Sequence, residues 1–312
     1  MVKESIFGFP LFKRLRHALR PVRTSYELLV GKLFPKRLAS IRYKQVYGVA
    51  INWSNPKNID EKINWLKFYS DTSRWTLLAD KYRVRQYVEE CGFGDMLVKL
   101  YGKWEQAADI DWESLPNQFV MKTNHGSGDV LICHDKQLTD RKYWTKMFDK
   151  WLHTDFGSMM GEPHYKYIKP CVIAEELLDA DKQPIASSSL IDYKIWAFNG
   201  KPSYIWCCLN RTPKSVEVIT YDMQWNPHPE FSIDTPHYIL TDKRIPRPNS
   251  LERMLYAASV LSKGFPQVRV DFYEVDGKAY FGEMTFTSSS GVNYFYTDEF
   301  RNHLGDHCQL LL

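Results

Sequence analysis

The sequence predicts an α+β fold in which antiparallel hairpins dominate. Three observations carry that expectation. Short segments with period-two apolar spacing recur along the chain, between longer segments of helical spacing. Two pairs of short segments are joined by strong turn signals. Asn124-His125-Gly126-Ser127-Gly128-Asp129 separates 119–122 from 130–133, and Val275-Asp276-Gly277 separates 268–273 from 280–287. The glycines at 126 and 128 lead into another strand and not into a helix, so they are not a Walker loop.

The elements follow in order. Residues 1–40 read as short basic helices broken at Pro10, Pro21 and Pro35. Residues 59–69 read as a helix, with Ile59, Ile63 and Leu66 on one side and Asp60 and Glu61 in the first turn. Residues 76–90 read as one further helix ending at Gly92, and 95–118 are mixed. The Gly-rich hairpin comes next, then a helix over 139–153 with Trp144, Met147, Phe148, Trp151 and Leu152 as its apolar stripe. Residues 171–178 form a strand ending in Glu175-Glu176. Residues 191–198 form another, turning at Asn199-Gly200, and 203–210 form the next, followed by Arg211. An amphipathic helix over 251–263 precedes the last hairpin.

That hairpin carries the most chemistry. Val268, Val270, Phe272, Tyr280, Gly282, Met284 and Phe286 occupy even positions, whereas Arg269, Asp271, Glu283, Thr285 and Thr287 occupy odd ones. Strand faces alternate with period two, so one face is core and the other gathers the polar groups. A two-residue turn at Asp276-Gly277 would put Asp271 and Glu283 on opposite faces. A three-residue turn is therefore expected, with Glu283 facing Arg269 and lying diagonal to Asp271. Two carboxylates on one face suit a Mg²⁺ shared with nucleotide phosphates. A surface strand pair with an Arg–Glu salt bridge would show the same spacing.

Composition narrows the class. With 312 residues, 25% charged and 44% hydrophobic, the chain is an ordinary globular protein of one large or two medium domains. No apolar run has the length of a membrane-spanning helix, and no secretory signal is evident. Six cysteines without a C-x-x-C pair form neither a zinc pattern nor a disulfide framework, which fits reduced thiols in a cytoplasm. His303 and His307 have metal-ligand spacing, but a terminal tail is the expectation there. Eleven Lys and Arg against Glu4 and Glu27 give residues 1–44 a charge of +9, which sets the rest of the chain at −5 against the overall +4. An acidic body argues against nucleic acid as a partner. The basic segment 1–40, interleaved with Phe and Leu, has the character of a peripheral contact with an anionic membrane.

Taken in order, six motifs resemble the ATP-grasp superfamily and, within it, the TupA-like branch of polysaccharide-cluster proteins named for teichuronopeptide synthesis. They are Asp80-Lys81-Tyr82, Phe119-Val120-Met121-Lys122 with Asn124-His125-Gly126-Ser127-Gly128, Ile173-Ala174-Glu175-Glu176, Asp192-Tyr193-Lys194 with Phe198-Asn199-Gly200, Val268-Arg269-Val270-Asp271-Phe272-Tyr273, and Gly282-Glu283-Met284-Thr285. The resemblance spans residues 45–307 and implies an ATP-grasp fold, two α+β lobes holding ATP between them, behind a basic helical N-terminal extension. It divides the chain into that extension (1–44), a helical and mixed region (45–118), a lid subdomain with the Gly-rich hairpin (119–175) and a C-terminal subdomain with the metal site (176–312).

By the same resemblance, Lys122 contacts the ATP phosphates and Gly126, Ser127 and Gly128 form the lid. Glu175 and Glu176 lie at adenine and ribose, and Lys194 reaches the phosphates or adenine. Asp271 and Glu283 bind Mg²⁺, with Thr285 where most ATP-grasp ligases have a third, Asn ligand. Arg211 and Arg269 stabilise the transferred phosphate or bind acceptor. The implied activity is a cytoplasmic carboxylate–amine ligase with ATP and Mg²⁺ as cofactors. It joins an amine donor to a sugar carboxylate, a uronic acid, of a bacterial surface polysaccharide. A sugar kinase and a non-catalytic module of a polysaccharide machine remain open beside it.

Overall fold

The structure is a computed structural model and describes residues 25–310. The basic segment 1–24 lies outside the described residues, and its helices and membrane contact with it. Residues 25–33 are helical, and the helix Pro35–Tyr47 follows, started by its own proline and closed by Gly48 in the left-handed region.

Two sheets, one antiparallel and one mainly so, organise the rest. The smaller has the order β1-β4-β2-β3, from Leu100–Trp104 (β1), Phe119–Thr123 (β2), Val130–Cys133 (β3) and Val172–Glu175 (β4). Its core gathers Phe119, Met121, Leu131, Val172 and Ala174 against Phe148 and Leu152 of the helix Arg141–Leu152. The larger sheet has the order β10-β9-β5-β6-β7-β8. Its strands are Asp192–Phe198 (β5), Lys201–Leu209 (β6), Val216–Tyr221 (β7), Tyr238–Leu240 (β8), Val268–Val275 (β9) and Lys278–Thr285 (β10). The β7–β8 pair is parallel, the rest antiparallel. The helix Leu251–Leu261 covers one face of this sheet with Leu251, Met254, Ala257, Ala258 and Leu261.

Helices from the stretch 45–118 share the larger sheet's core, through Ile59, Ile63, Leu66, Trp75, Val84 and Val88, whereas β1 of the same stretch joins the smaller sheet. The helix Ile59–Tyr69 begins as the acidic first turn predicts, with Asn58 Oδ1 accepting from the Glu61 amide. It packs on a C-terminal helix, Asp298–His307, where a tail was expected. The predicted single helix 76–90 is in fact two, Ser73–Ala79 and Val84–Glu90. Asp80 breaks it by accepting the amides of Tyr82 and Arg83 on its own carboxylate, and the Lys81 amide turns away to the Asn124 carbonyl. That break places Lys81 beside the Gly-rich turn.

One buried group makes the fold acid-sensitive. His164 is 1% exposed, lies edge-on to Trp75, and has no hydrogen-bond partner for either ring nitrogen among the described residues. Burial pushes its pKa down to about 3. Between pH 6.5, where the unfolded chain takes up this proton, and pH 3, the unfolded state binds more protons, so stability is lost as pH falls. Wild type should therefore lose stability relative to His164→Phe by about 1.4 kcal/mol per pH unit below the unfolded pKa. Urea midpoints from pH 7 to pH 5 test this, and parallel curves for the two proteins would refute it.

Candidate active site

The polar face of the larger sheet carries the site. Its geometry begins at the last turn, where Val275 pairs with Lys278 across Asp276 and Gly277, both at positive φ (53° and 70°). The turn thus has two residues, not the three expected, and is of the type that matches strand twist. Parity is restored further along by a β-bulge between Phe281 and Glu283. Gly282 occupies the bulge, where an added Cβ would stand 3.0 Å from the Asp271 carbonyl oxygen. The register is consequently Glu283 opposite Asp271 and Thr285 opposite Arg269, which corrects the expected Glu283–Arg269 pairing. Asp271 in turn stands opposite Lys194 on β5, and Lys194 opposite Trp206 on β6. Glu283, Asp271, Lys194 and Trp206 therefore form one row across four strands.

Asp271 is the hub of that row. Arg269 donates to both its oxygens, from Nε at 2.7 Å and Nη2 at 2.9 Å, and Lys194 Nζ donates to Oδ2 at 2.6 Å. Arg269 also donates to Ser288 Oγ at 3.0 Å and Thr285 Oγ1 at 3.2 Å, and lies 3.8 Å from Glu283. Lys194 reaches Asp192 at 3.3 Å, and Arg211 holds the other Asp192 oxygen at 2.8 Å. Burial pushes the Asp271 carboxyl up, but Arg269 and Lys194 outweigh it and hold the group below its ordinary value. Burial works against the Lys194 ammonium, yet Asp192 and Asp271 raise its pKa overall. Glu283 is the open member, with its side chain 40% exposed.

Lys122, Glu175 and the lid form a second group. Lys122 Nζ pairs with Glu175 Oε2 at 2.6 Å, and Arg85 with Oε1 at 3.0 Å. Glu176 is exposed at the end of β4, its amide donating to the Lys99 carbonyl. Gly126 is buried, whereas Ser127 and Gly128 are exposed at the tip. Asn124 anchors this turn, donating to Asp80 Oδ1 at 2.9 Å and accepting from the Cys171 amide at 2.7 Å. The predicted residues thus fall into two clusters, Lys194, Arg211, Arg269, Asp271, Glu283 and Thr285 on one sheet and Lys122, Gly126, Ser127, Gly128, Glu175 and Glu176 on the other.

Lys81 joins them, and sequence reasoning gave it no role. Its Nζ donates to the Gly126 carbonyl and lies 4.0 Å from Glu283. Burial lowers its pKa, with Glu283 opposing. Asp192, Arg85 and Tyr273 were also missed; Tyr273 is held protonated chiefly by Asp192, then by burial and Glu283. The available signal was Asp80-Lys81-Tyr82 itself, an Asx-type breaker in a helical stretch. On the larger sheet and at Lys81, four cations (Lys81, Lys194, Arg211, Arg269) meet three carboxylates (Asp192, Asp271, Glu283), so the site carries net positive charge.

The family model described as TupA-like ATPgrasp matches residues 61–309, most of the chain and all of the site. This chain belongs to the TupA-like ATP-grasp family. Its two-sheet α+β architecture is the ATP-grasp fold. Among solved structures, this TupA-like chain is similar to a D-alanine–D-alanine ligase from Bacillus anthracis, at 16% identity and a TM-score of 0.41, covering 74% of this chain and 67% of the ligase. The corresponding enzyme from Helicobacter pylori gives 13%, 0.40, 81% and 67%. The ATP-grasp ligase PsnB, complexed with precursor peptide PsnA2 and AMPPNP, gives 9%, 0.38, 80% and 66%. The chain spans about two thirds of the length of these neighbours. No curated protein matches. No helix among the described residues is long and apolar enough to cross a membrane.

Proposed function

We propose that this protein is an ATP-dependent carboxylate–amine ligase that joins an amino acid or other amine to a uronic acid of a bacterial surface polysaccharide or its precursor. The observation that carries the reading is the Asp271 hub, a buried carboxylate held by Arg269 and Lys194, with Glu283 beside it and positive charge in excess. The donor chemistry suits Mg²⁺ together with phosphate. Two neighbouring carboxylates give too few oxygens for a bare ion, and the surplus cations call for an anion. Asp271 and Glu283 would hold the metal, with Thr285 Oγ1 beside them. When bound, the ion supplies charge neutralisation to the phosphates.

The chain's own groups then have distinct work. Lys81, Lys122 and Lys194 bind phosphate oxygens, and the Gly-rich turn excludes water from above. A carboxylate oxygen of the sugar takes the γ-phosphoryl group and ADP leaves. The amine nitrogen then attacks the acyl carbon, phosphate departs, and the nitrogen loses a proton. Arg269 and Arg211 stabilise the negative charge that gathers on the transferring group. Residues 1–40 would bring the enzyme to a membrane that carries lipid-linked precursors.

The experiment follows from the acyl phosphate. Turnover should release ADP and phosphate, require both a uronate and an amine, and yield a hydroxamate when hydroxylamine replaces the amine. Recovery of a stable phosphosugar, with no free phosphate and no hydroxamate, would make the protein a kinase instead.

A further inference from the structure

The helix Ile59–Tyr69 carries two buried stripes. Ile59, Ile63 and Leu66 join the core. Asp60, Asn64 and Lys67, at i, i+4 and i+7, form the other, and they are 0%, 0% and 4% exposed. Burying such groups is costly unless each finds a partner. All three find theirs in one segment, 288–293, which follows the last strand. Lys67 Nζ donates to the Ser290 carbonyl and Asn64 Nδ2 to the Gly291 carbonyl, at 2.8 Å each. Asp60 Oδ1 accepts from the Asn293 backbone amide at 3.1 Å and from its Nδ2 at 2.5 Å. Tyr47 and Arg301 hold the other Asp60 oxygen, at 2.7 Å and 3.4 Å.

The segment so held is strained. Ser289 (φ 47°, ψ 37°) and Ser290 (φ 57°, ψ 22°) are both left-handed, a conformation that side chains keep only where the surroundings impose it. Gly291 follows at φ 78°, and a Cβ there would stand 2.6 Å from Asn64 Nδ2.

Hydrogen-bond polarity carries this hold to the Asp271 hub. The Asp60 carboxylate accepts on both oxygens, so Asn293 turns its NH₂ to Asp60 and its Oδ1 to Ser288. Ser288 gives its one hydroxyl proton to that Oδ1, at 2.7 Å. A lone pair is then left for Arg269 Nη1, at 3.0 Å. Asp271 takes Nε and Nη2 of the guanidinium, and Ser288 takes the remaining corner from outside the strand. We propose that Asp60, Asn64 and Lys67 are positioning residues, which fix the segment 288–293 and, through Ser288, the Arg269 guanidinium. This deepens the proposed function, and its effect on turnover rests on the ligase reading.

The test follows the guanidinium directly. In the full chain labelled with ¹⁵N-arginine, the Arg269 Nε–H resonance is identified by its loss in Arg269→Lys. Its exchange with water should be slow in the wild type and about tenfold faster in Ser288→Ala and in Lys67→Met. Ser288→Thr keeps the hydroxyl and should keep the slow exchange. Hydroxamate turnover should fall about tenfold in Ser288→Ala and Lys67→Met at unchanged KM for ATP, and Ser288→Thr should restore it. The double variant should be no slower than either single one, because both act through the same segment. Ser288→Ala removes a single atom and should fold even where Lys67→Met does not; urea midpoints report on both. A stripe that only stabilised the fold would lower the Lys67→Met midpoint and leave the turnover of folded protein unchanged, which would overturn the proposal. Unchanged Arg269 exchange in Ser288→Ala, or losses that multiply in the double variant, would overturn it too. A protein that makes no hydroxamate yet shows the exchange effect and its rescue by threonine loses the ligase reading and keeps the hold on Arg269. Wild-type hydroxamate turnover in Ser288→Ala removes the positioning role alone.

Discussion

Asp271→Asn is expected to lower turnover in the proposed ligase reaction by about 10²–10³-fold, because an amide is a poor ligand for the proposed Mg²⁺ and cannot balance the cations around it. The structure adds a second cost. Asp271 is 1% exposed and accepts three charge-assisted hydrogen bonds from Arg269 and Lys194. The Asn side chain leaves two buried cations facing a neutral group, a change that costs about 3–5 kcal/mol when a buried pair is broken. Chemical denaturation should show that loss, and hydroxamate formation by the folded protein should show the catalytic one. Wild-type Mg²⁺-dependent nucleotide affinity together with wild-type turnover would sink the metal assignment.

Arg269→Lys and Arg211→Lys should separate, although the sequence presents the two arginines as equals. Arg269 is buried and donates to Asp271 twice, to Ser288 and to Thr285. Lysine cannot reproduce that fork. Arg269→Lys should therefore lose about 2–3 kcal/mol of stability and about 10²–10³-fold in turnover. Arg211 has its side chain 45% exposed and, among the carboxylates of the described residues, pairs with Asp192 alone. Its replacement by lysine should leave stability within about 0.5 kcal/mol while turnover falls about tenfold. ATP affinity should change less than turnover in both variants. Equal stability losses in the two would show that the Arg269 network is not coupled to the fold as described.

Local pattern carried much of this protein. Period-two alternation identified the polar face that holds Arg269, Asp271, Glu283 and Thr285, because side chains leave a strand on opposite sides whatever the rest of the fold does. The places of the Asn199-Gly200 and Asp276-Gly277 turns were equally evident, since positive φ selects Asn, Asp and Gly, although the turn at Asp276-Gly277 has two residues and not the three expected. The order of six motifs was enough to indicate the family.

Pairing was a different matter. The step from a three-residue to a two-residue turn, offset by a bulge at Gly282, moved Glu283 from Arg269 to Asp271. Both registers keep 283–285 on the same faces, so periodicity is blind to the step there; before the bulge the faces exchange, and Phe281 turns into the core opposite Phe272 where Tyr280 was expected. Lys81 entered the site only because Asp80 breaks a stretch that reads as continuous helix. Asp60 was legible as a residue of a helix's first turn, but its bonds to Asn293 and Arg301 join positions more than two hundred residues apart. A local window reports which way a side chain points. What it meets there is set by how the helices Ile59–Tyr69 and Asp298–His307 close over the sheet, a choice made by packing across the whole chain.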